Sequence, residues 1–249
     1  MKRTTIAAAA LAAALGLAGC GSATDSGSGT AAKSSSPAAV KSGDSVDGAA
    51  LAKRMTDAMV AAGSGSMAMD FGGQGKASGS FVMKDSSMEQ QMTMEIQGEK
   101  LEVVSLGGVI YMKGLPGSEK PWVKIDPKAD DPVSKMFAGL GGQDNDPRQF
   151  AKALQGTKAK VVGTSGDTTE YEVTIDPTKL LGGTGGSTAA PSVAPVTAHY
   201  TLDKQDRPTL MTTQVQGQTL KITFSDWGKK STITAPPADQ VGTFKLPTG

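Results

Sequence analysis

Several segments of this chain alternate apolar and polar residues so cleanly that their two faces can be written out, and few folds accommodate that pattern. Met88, Met92, Met94 and Ile96 oppose Glu89, Gln91, Thr93 and Glu95. Tyr171, Val173 and Ile175 oppose Glu170, Glu172 and Thr174, while Leu220, Ile222 and Phe224 oppose Thr219, Lys221 and Thr223. Period two with one wet and one dry face is the pattern of a half-buried strand. With 66–71, 76–83, 100–105, 108–113, 121–125, 158–163, 197–203 and 209–215, the chain has about eleven such segments. The turns between them, such as Gln97-Gly98, are mostly short, and short turns joining one-sided strands predict an antiparallel meander.

Helical spacing is confined to a few places. From Val46 to Ala62 the apolar residues Leu51, Met55, Ala58, Met59 and Ala62 recur on one stripe, with Lys53, Arg54, Thr56 and Asp57 elsewhere and Gly63 placed to end a long N-terminal helix. Asp131-Pro132 and Asp146-Pro147 open two shorter helices, 133–140 and 148–155, with Asp as the cap and Pro in the first turn. After Asp176-Pro177, the pair Gly182-Gly183 leaves room only for a turn.

Areas then constrain the architecture. Eleven strands about 4.8 Å apart and about 20 Å long present a dry face of roughly 1,000 Å². One helix of about 17 residues and two of about 15 Å length cover roughly 550 Å². Because soluble proteins rarely leave more than a few hundred Å² of apolar patch in water, the sheet is expected to curl on itself, to hold a ligand, or both. The expected class is α+β: a curved antiparallel half-barrel with the three helices over its concave face.

The first twenty residues, MKRTTIAAAALAAALGLAGC, set the expected location. Lys2 and Arg3 form a basic n-region, and Ile6 to Leu17 is an apolar run too short to span a bilayer. Leu17-Ala18-Gly19-Cys20 ends it with small residues and the only cysteine of the chain. This ending resembles the bacterial lipobox, which implies cleavage between Gly19 and Cys20, diacylglyceration of the Cys20 thiol and a membrane anchor made of acyl chains. The competing readings are a plain secretory signal with a chance cysteine, or a free buried cysteine in a cytosolic protein. A lone cysteine makes no intramolecular disulfide, and acylation gives its position a reason. Two or more chains, at about 0.8 kcal/mol per buried methylene, anchor stably.

Residues 20–45 are mostly Ser, Gly, Ala and Thr with few large apolar side chains, too few to offset chain entropy, and are expected to be a flexible tether reaching roughly 25 to 30 Å. Residues 46–249 suffice for one domain. Loss of residues 1–19 leaves 23 Lys and Arg against 24 Asp and Glu. Near-zero net charge with no basic stripe excludes nucleic acid and anionic headgroups as electrostatic partners.

The order of these parts has a counterpart. A lipobox, a Ser/Gly tether, one amphipathic helix, and strands containing Gly107-Gly108-Val109-Ile110-Tyr111-Met112 and Trp122-Val123-Lys124-Ile125 resemble the LppX/LprG-like lipoproteins of actinobacteria and, more distantly, LolA and LolB. Tyr200-Thr201-Leu202-Asp203, Arg207-Pro208, Phe224-Ser225-Asp226-Trp227-Gly228 and Ala235-Pro236-Pro237 look like the strand-turn-strand ending of that group. The resemblance covers roughly residues 46–241. It implies a half-barrel whose concave face, partly closed by helices, holds acyl chains.

The candidate ligand wall is rich in methionine: Met67, Met69, Met83, Met92 and Met94 fall on dry strand faces. Phe71, Phe81, Ile96, Leu101 and Val103, with Tyr111, Tyr171, Leu220, Ile222 and Phe224, are expected to share it. A flexible, polarizable methionine wall repacks around chains of different length; the alternative is that methionine fills a core short of aromatics. The aperiodic stretch 182–195 is either an entrance flap or a tolerated surface insertion.

Catalytic signals are lacking. The only histidine, His199, alternates with dry-face Ala198, Tyr200 and Leu202 and is expected to face solvent. No Cys/His cluster, G-x-S-x-G elbow or calcium-loop spacing occurs, and Gly72-Gly73-Gln74-Gly75 precedes no helix, so no metal, cofactor or enzyme activity is expected. Two functions remain: a monomeric, outer-face lipoprotein that binds a lipid or amphiphile, or an envelope interaction or sensor lipoprotein with a filled core and a protein partner.

Overall fold

The computed structural model describes residues 40–84, 87–115, 118–130, 134, 154–175, 195–215 and 217–243. The alternating segments form a single sheet of 13 strands. In chain order these are β1 Ser45–Asp47, β2 Ser64–Asp70, β3 Gly75–Lys84, β4 Ser87–Ile96, β5 Glu99–Leu106, β6 Val109–Lys113 and β7 Trp122–Ile125, then β8 Lys158–Ser165, β9 Thr168–Ile175, β10 Val196–Leu202, β11 Pro208–Val215, β12 Gln218–Ser225 and β13 Val241–Thr243. Their order across the sheet is β1-β8-β9-β10-β11-β12-β2-β3-β4-β5-β6-β7-β13. Two meanders, β8 to β12 and β2 to β7, are therefore fused where β12 pairs antiparallel with β2. The sheet is curved and unclosed.

The two strands beyond the expected eleven are three-residue edges, and β13 runs parallel to β7, so the sheet is not purely antiparallel. Edges this short present few unpaired backbone groups to other chains.

The helix, α1 Gly48–Ala62, starts two residues later than the apolar stripe predicts. Val46 belongs to β1, opposite Ala159, and Asp47 caps the helix by accepting the Ala50 N–H at 2.9 Å. Gly63, at φ 74°, ends it in the left-handed conformation that glycine adopts without strain. Gly48 is tied to the turn before β8, donating to the Thr157 carbonyl at 3.1 Å. Even earlier, Gly43 N–H donates to the Val161 carbonyl at 2.8 Å, so the chain is bound to β8 before residue 46. The short helices expected at 133–140 and 148–155 lie outside the described residues, apart from buried Ser134 and Leu154 and exposed Gln155.

The turns carry their expected chemistry at two hairpins. Gln97 and Gly98 have φ of 53° and 84°, and Gly107 and Gly108 have 59° and 79°. Positive φ at both central residues matches the right-handed twist of the flanking strands.

On the convex face, opposite charges alternate across neighbouring strands. Lys221 pairs with Asp70, Asp70 with Lys76, Lys76 with Glu95, and Glu95 with Lys100. Each such cross-strand pair contributes about 0.2–1 kcal/mol, and a one-residue slip would place like with unlike polarity, so the ladder helps fix register.

Candidate functional site

Register relations place the dry faces in one concave wall. Following Cα partners from β8, one row runs Val161, Tyr171, Tyr200, Met211, Ile222, Met69, Ala77, Met94 and Leu101, unbroken over nine strands. The next runs Phe224, Met67, Gly79, Met92, Val103, Met112 and Val123. A third sets Gly65, Phe81, Gln90, Ser105, Ile110 and Ile125 in line.

The wall expected from sequence is assembled almost whole. Met67, Met69, Phe81, Met92, Met94, Tyr171, Leu220, Ile222 and Phe224 are buried in one cluster with Leu51, Met55 and Met59 of α1. Phe71, Met83, Leu101 and Val103 pack against its margin, half-buried. Ile96 is half-buried at the end of β4, in phase with Met92 and Met94. Tyr111 is the correction. It pairs with Val104 and lies on the convex side, in a second cluster of Val104, Trp122 and Ile233. The chain after β12 crosses that outer face, with Ser231 Oγ bonded to Ser80 Oγ at 3.2 Å, so β6 is apolar on both sides and alternation there does not identify the inner one.

An aromatic group closes one end of the wall. Trp227 stacks near-parallel to Phe224 at 6.0 Å, meets Phe81 edge-on at 5.3 Å, and donates its indole N–H to the Pro208 carbonyl at 3.0 Å. Gly65 leaves room for it, because a Cβ there would lie 2.7 Å from Phe81 and 3.2 Å from Trp227.

Helix α1 spans this wall as a chord. Its packing is on β1 and β8 at one end and on β2 and β3 at the other. From β8 to β2 is five strand spacings, about 24 Å, which matches the roughly 22 Å of a 15-residue helix. Arg54 fastens it from the side: its guanidinium donates to Tyr171 Oη at 3.3 Å, lies 6.0 Å from that ring's centroid, and pairs with Asp206 at 3.6 Å.

Among the described residues no charged side chain is buried; the buried polar residues are Thr56, Ser64, Gln90, Ser134 and Thr213. Thr56 and Gln90 were not singled out from sequence. Gln90 keeps the phase of Met88, Met92 and Met94, whereas Thr56, expected off the apolar stripe of the helix, is corrected by the structure, which buries it beside Met55. His199 is half-exposed on the convex face, its Nδ1 3.2 Å from Glu170 Oε1 and its Nε2 3.9 Å from Glu172 Oε2. No group of His, Cys, Asp and Glu among the described residues could hold a metal ion. Cys20, Gly19 and the 182–195 stretch lie outside the described residues.

No family model and no curated protein matches the sequence. Solved structures match at low identity. LppX, a Mycobacterium tuberculosis lipoprotein, is 16% identical with a TM-score of 0.49, the match covering 75% of this chain and 97% of LppX. LprF from Mycobacterium bovis is 13% identical at a TM-score of 0.46, with 75% and 97% covered. The Pseudomonas aeruginosa MucA/MucB complex is 17% identical at 0.40, with 78% and 60% covered. At such identities and TM-scores, function has to be read from this chain's own residues.

Proposed function

We propose that this chain is an envelope lipoprotein, anchored on the outer face of the cytoplasmic membrane through acylated Cys20, that binds a lipid or other amphiphile against the concave face of its sheet and acts as its carrier. The observation that carries the proposal is the apolar row unbroken over nine strands, bridged by a helix only long enough for the β8-to-β2 half. Beyond that chord lie Met88, Met92, Met94 and Met112, flexible side chains suited to apolar ligands of variable length. A 16-carbon chain moved from water to such a wall gains on the order of 12 kcal/mol, comparable with the bilayer, so exchange with a membrane needs no large uphill step. No helix among the described residues is long and apolar enough to cross a membrane, and the lipobox supplies the attachment.

One observation favours the second reading, a partner-binding lipoprotein with a filled core: Met67, Met69 and Met94 are each only 4% exposed. The two readings part in one experiment. The full chain bearing Cys20→Ala, purified without detergent, is examined by native mass spectrometry and by organic extraction. Co-purified acyl lipid, or displacement of a bound fluorescent apolar dye by added lipid, is the expected result. Protein that is repeatedly empty and binds neither dye nor lipid overturns the carrier.

A further inference from the structure

The concave side contains two buried polar atoms whose hydrogen-bonding capacity is unused. Of the buried polar residues, Ser64 donates to the Lys229 carbonyl at 2.8 Å and Thr213 to the Thr197 carbonyl at 2.9 Å, and Ser134 also has a partner. Thr56 Oγ1 and Gln90 Oε1 have none. Thr56 is 8% exposed on the buried stripe of α1, and Gln90 is 5% exposed on the concave face of β4, opposite Phe81 and between Met88 and Met92. Leaving such a group unpaired costs roughly 1–3 kcal/mol, and an apolar residue of the same shape would avoid that cost. A core built only for packing gains nothing from either residue.

We infer that Thr56 and Gln90 each offer a polar recognition point within the apolar interior, and that the ligand brings a neutral hydroxyl group to one of them; the inference rests on the ligand-binding reading above. The chemistry narrows the class. An unpaired amide oxygen requires a donor, which excludes a plain hydrocarbon chain or an ester carbonyl as its partner. A threonine hydroxyl both donates and accepts, so a ligand hydroxyl serves either residue. An ionised head is excluded from this place, because no charged side chain is buried among the described residues to pair with it and an unpaired charge in an apolar interior is far costlier than an unpaired hydroxyl. Any charge on the ligand remains at the rim. A hydroxyl of this kind occurs either on an acyl chain or on a glycerol-type head, and both present the same group.

The test uses the full chain bearing Cys20→Ala and displacement of the neutral dye N-phenyl-1-naphthylamine. One pair of probes is methyl 12-hydroxyoctadecanoate against methyl octadecanoate, and the other is monopalmitoylglycerol against methyl palmitate. The expected result is that the hydroxylated member of at least one pair binds about tenfold tighter, and which pair shows it tells chain from head. One of Thr56→Val and Gln90→Met, both close in shape and apolar, is expected to bring that ratio to near one while Tm stays level or rises in both, since each removes an unsatisfied group. Equal binding within both pairs, as when water alone fills the site, overturns the inference and leaves the carrier standing. So does a ratio that survives both substitutions. Failure of all four probes to displace the dye overturns the carrier reading itself, and this inference with it.

Discussion

Met69 of β2 faces Ile222 of β12 across the seam that fuses the two meanders, and both side chains are buried on the concave side. The residues are far apart in sequence, so the pair is where the N-terminal and C-terminal halves commit to one sheet. Ile222→Ala removes atoms from the middle of the nine-strand row, where neighbours on both flanking strands hold the gap open. The expected loss is about 2–5 kcal/mol of unfolding free energy, read from urea denaturation followed by circular dichroism.

Gly79 interrupts the second concave row between Met67 and Met92. A Cβ there would collide with the Gln91 carbonyl oxygen and lie 2.8 Å from Met92 Cα, both backbone atoms that cannot swing aside. β3 and β4 thus approach closer than a side chain on β3 allows. Gly79→Val is expected to cost about 3 kcal/mol or to prevent folding, and Gly79→Ala less, as measured by urea denaturation.

Most of the strands were legible because each has one wet face, and turns such as Gln97-Gly98 require glycine. What escaped had a physical cause in each case. A three-residue edge such as Val241–Thr243 is too short to show a period, and its parallel pairing with β7 depends on where the preceding chain is laid. Val46 lies half a turn away from Met55, off the helical stripe, and its apolar character serves β1. Tyr111 was assigned to the inner wall because the outer face of β6 is also dry, covered by Ile233 from far along the chain. Gln90 and Thr56 break the very patterns used to find the wall, and only the packed structure shows that they are buried.

Tyr200 lies in the central row between Tyr171 and Met211, and its complete burial pushes the phenol above its ordinary value of 10.0. The folded chain therefore keeps the proton after the unfolded chain has begun to release it. Its contribution is intact below pH about 10 and is lost as pH rises beyond that, with a slope of up to about 1.4 kcal/mol per pH unit. Denaturation between about pH 8 and pH 11.5 is expected to show stability falling on the alkaline side, with a shallower fall for Tyr200→Phe. Loss of the hydroxyl's other interaction offsets that variant equally at every pH.

Acylation at Cys20 is tested by position in the cell. On the proposed reading, removing the thiol removes the acyl attachment. Cys20→Ala is expected to move the protein from the membrane fraction to the medium or to stall it as an uncleaved precursor, read by fractionation and intact mass. A variant that stays at the membrane with its signal removed would sink the lipobox assignment.

Arg54 connects the helical chord to the sheet, and its removal should separate stability from ligand exchange. Its pair with Asp206 is partly exposed and its bond to Tyr171 Oη is long, so Arg54→Met is expected to cost only about 1 kcal/mol in global stability. The helix ends stay fixed by Asp47 and Gly63, but the middle of α1 loses its lateral tie to β9 and to the β10–β11 turn. If an amphiphile leaves by passing under α1, its dissociation should quicken several-fold while Tm falls only slightly. Stopped-flow displacement of N-phenyl-1-naphthylamine measures that rate. An unchanged rate beside the small stability loss would mean that ligands pass elsewhere, past the β4-to-β7 part that the chord does not reach.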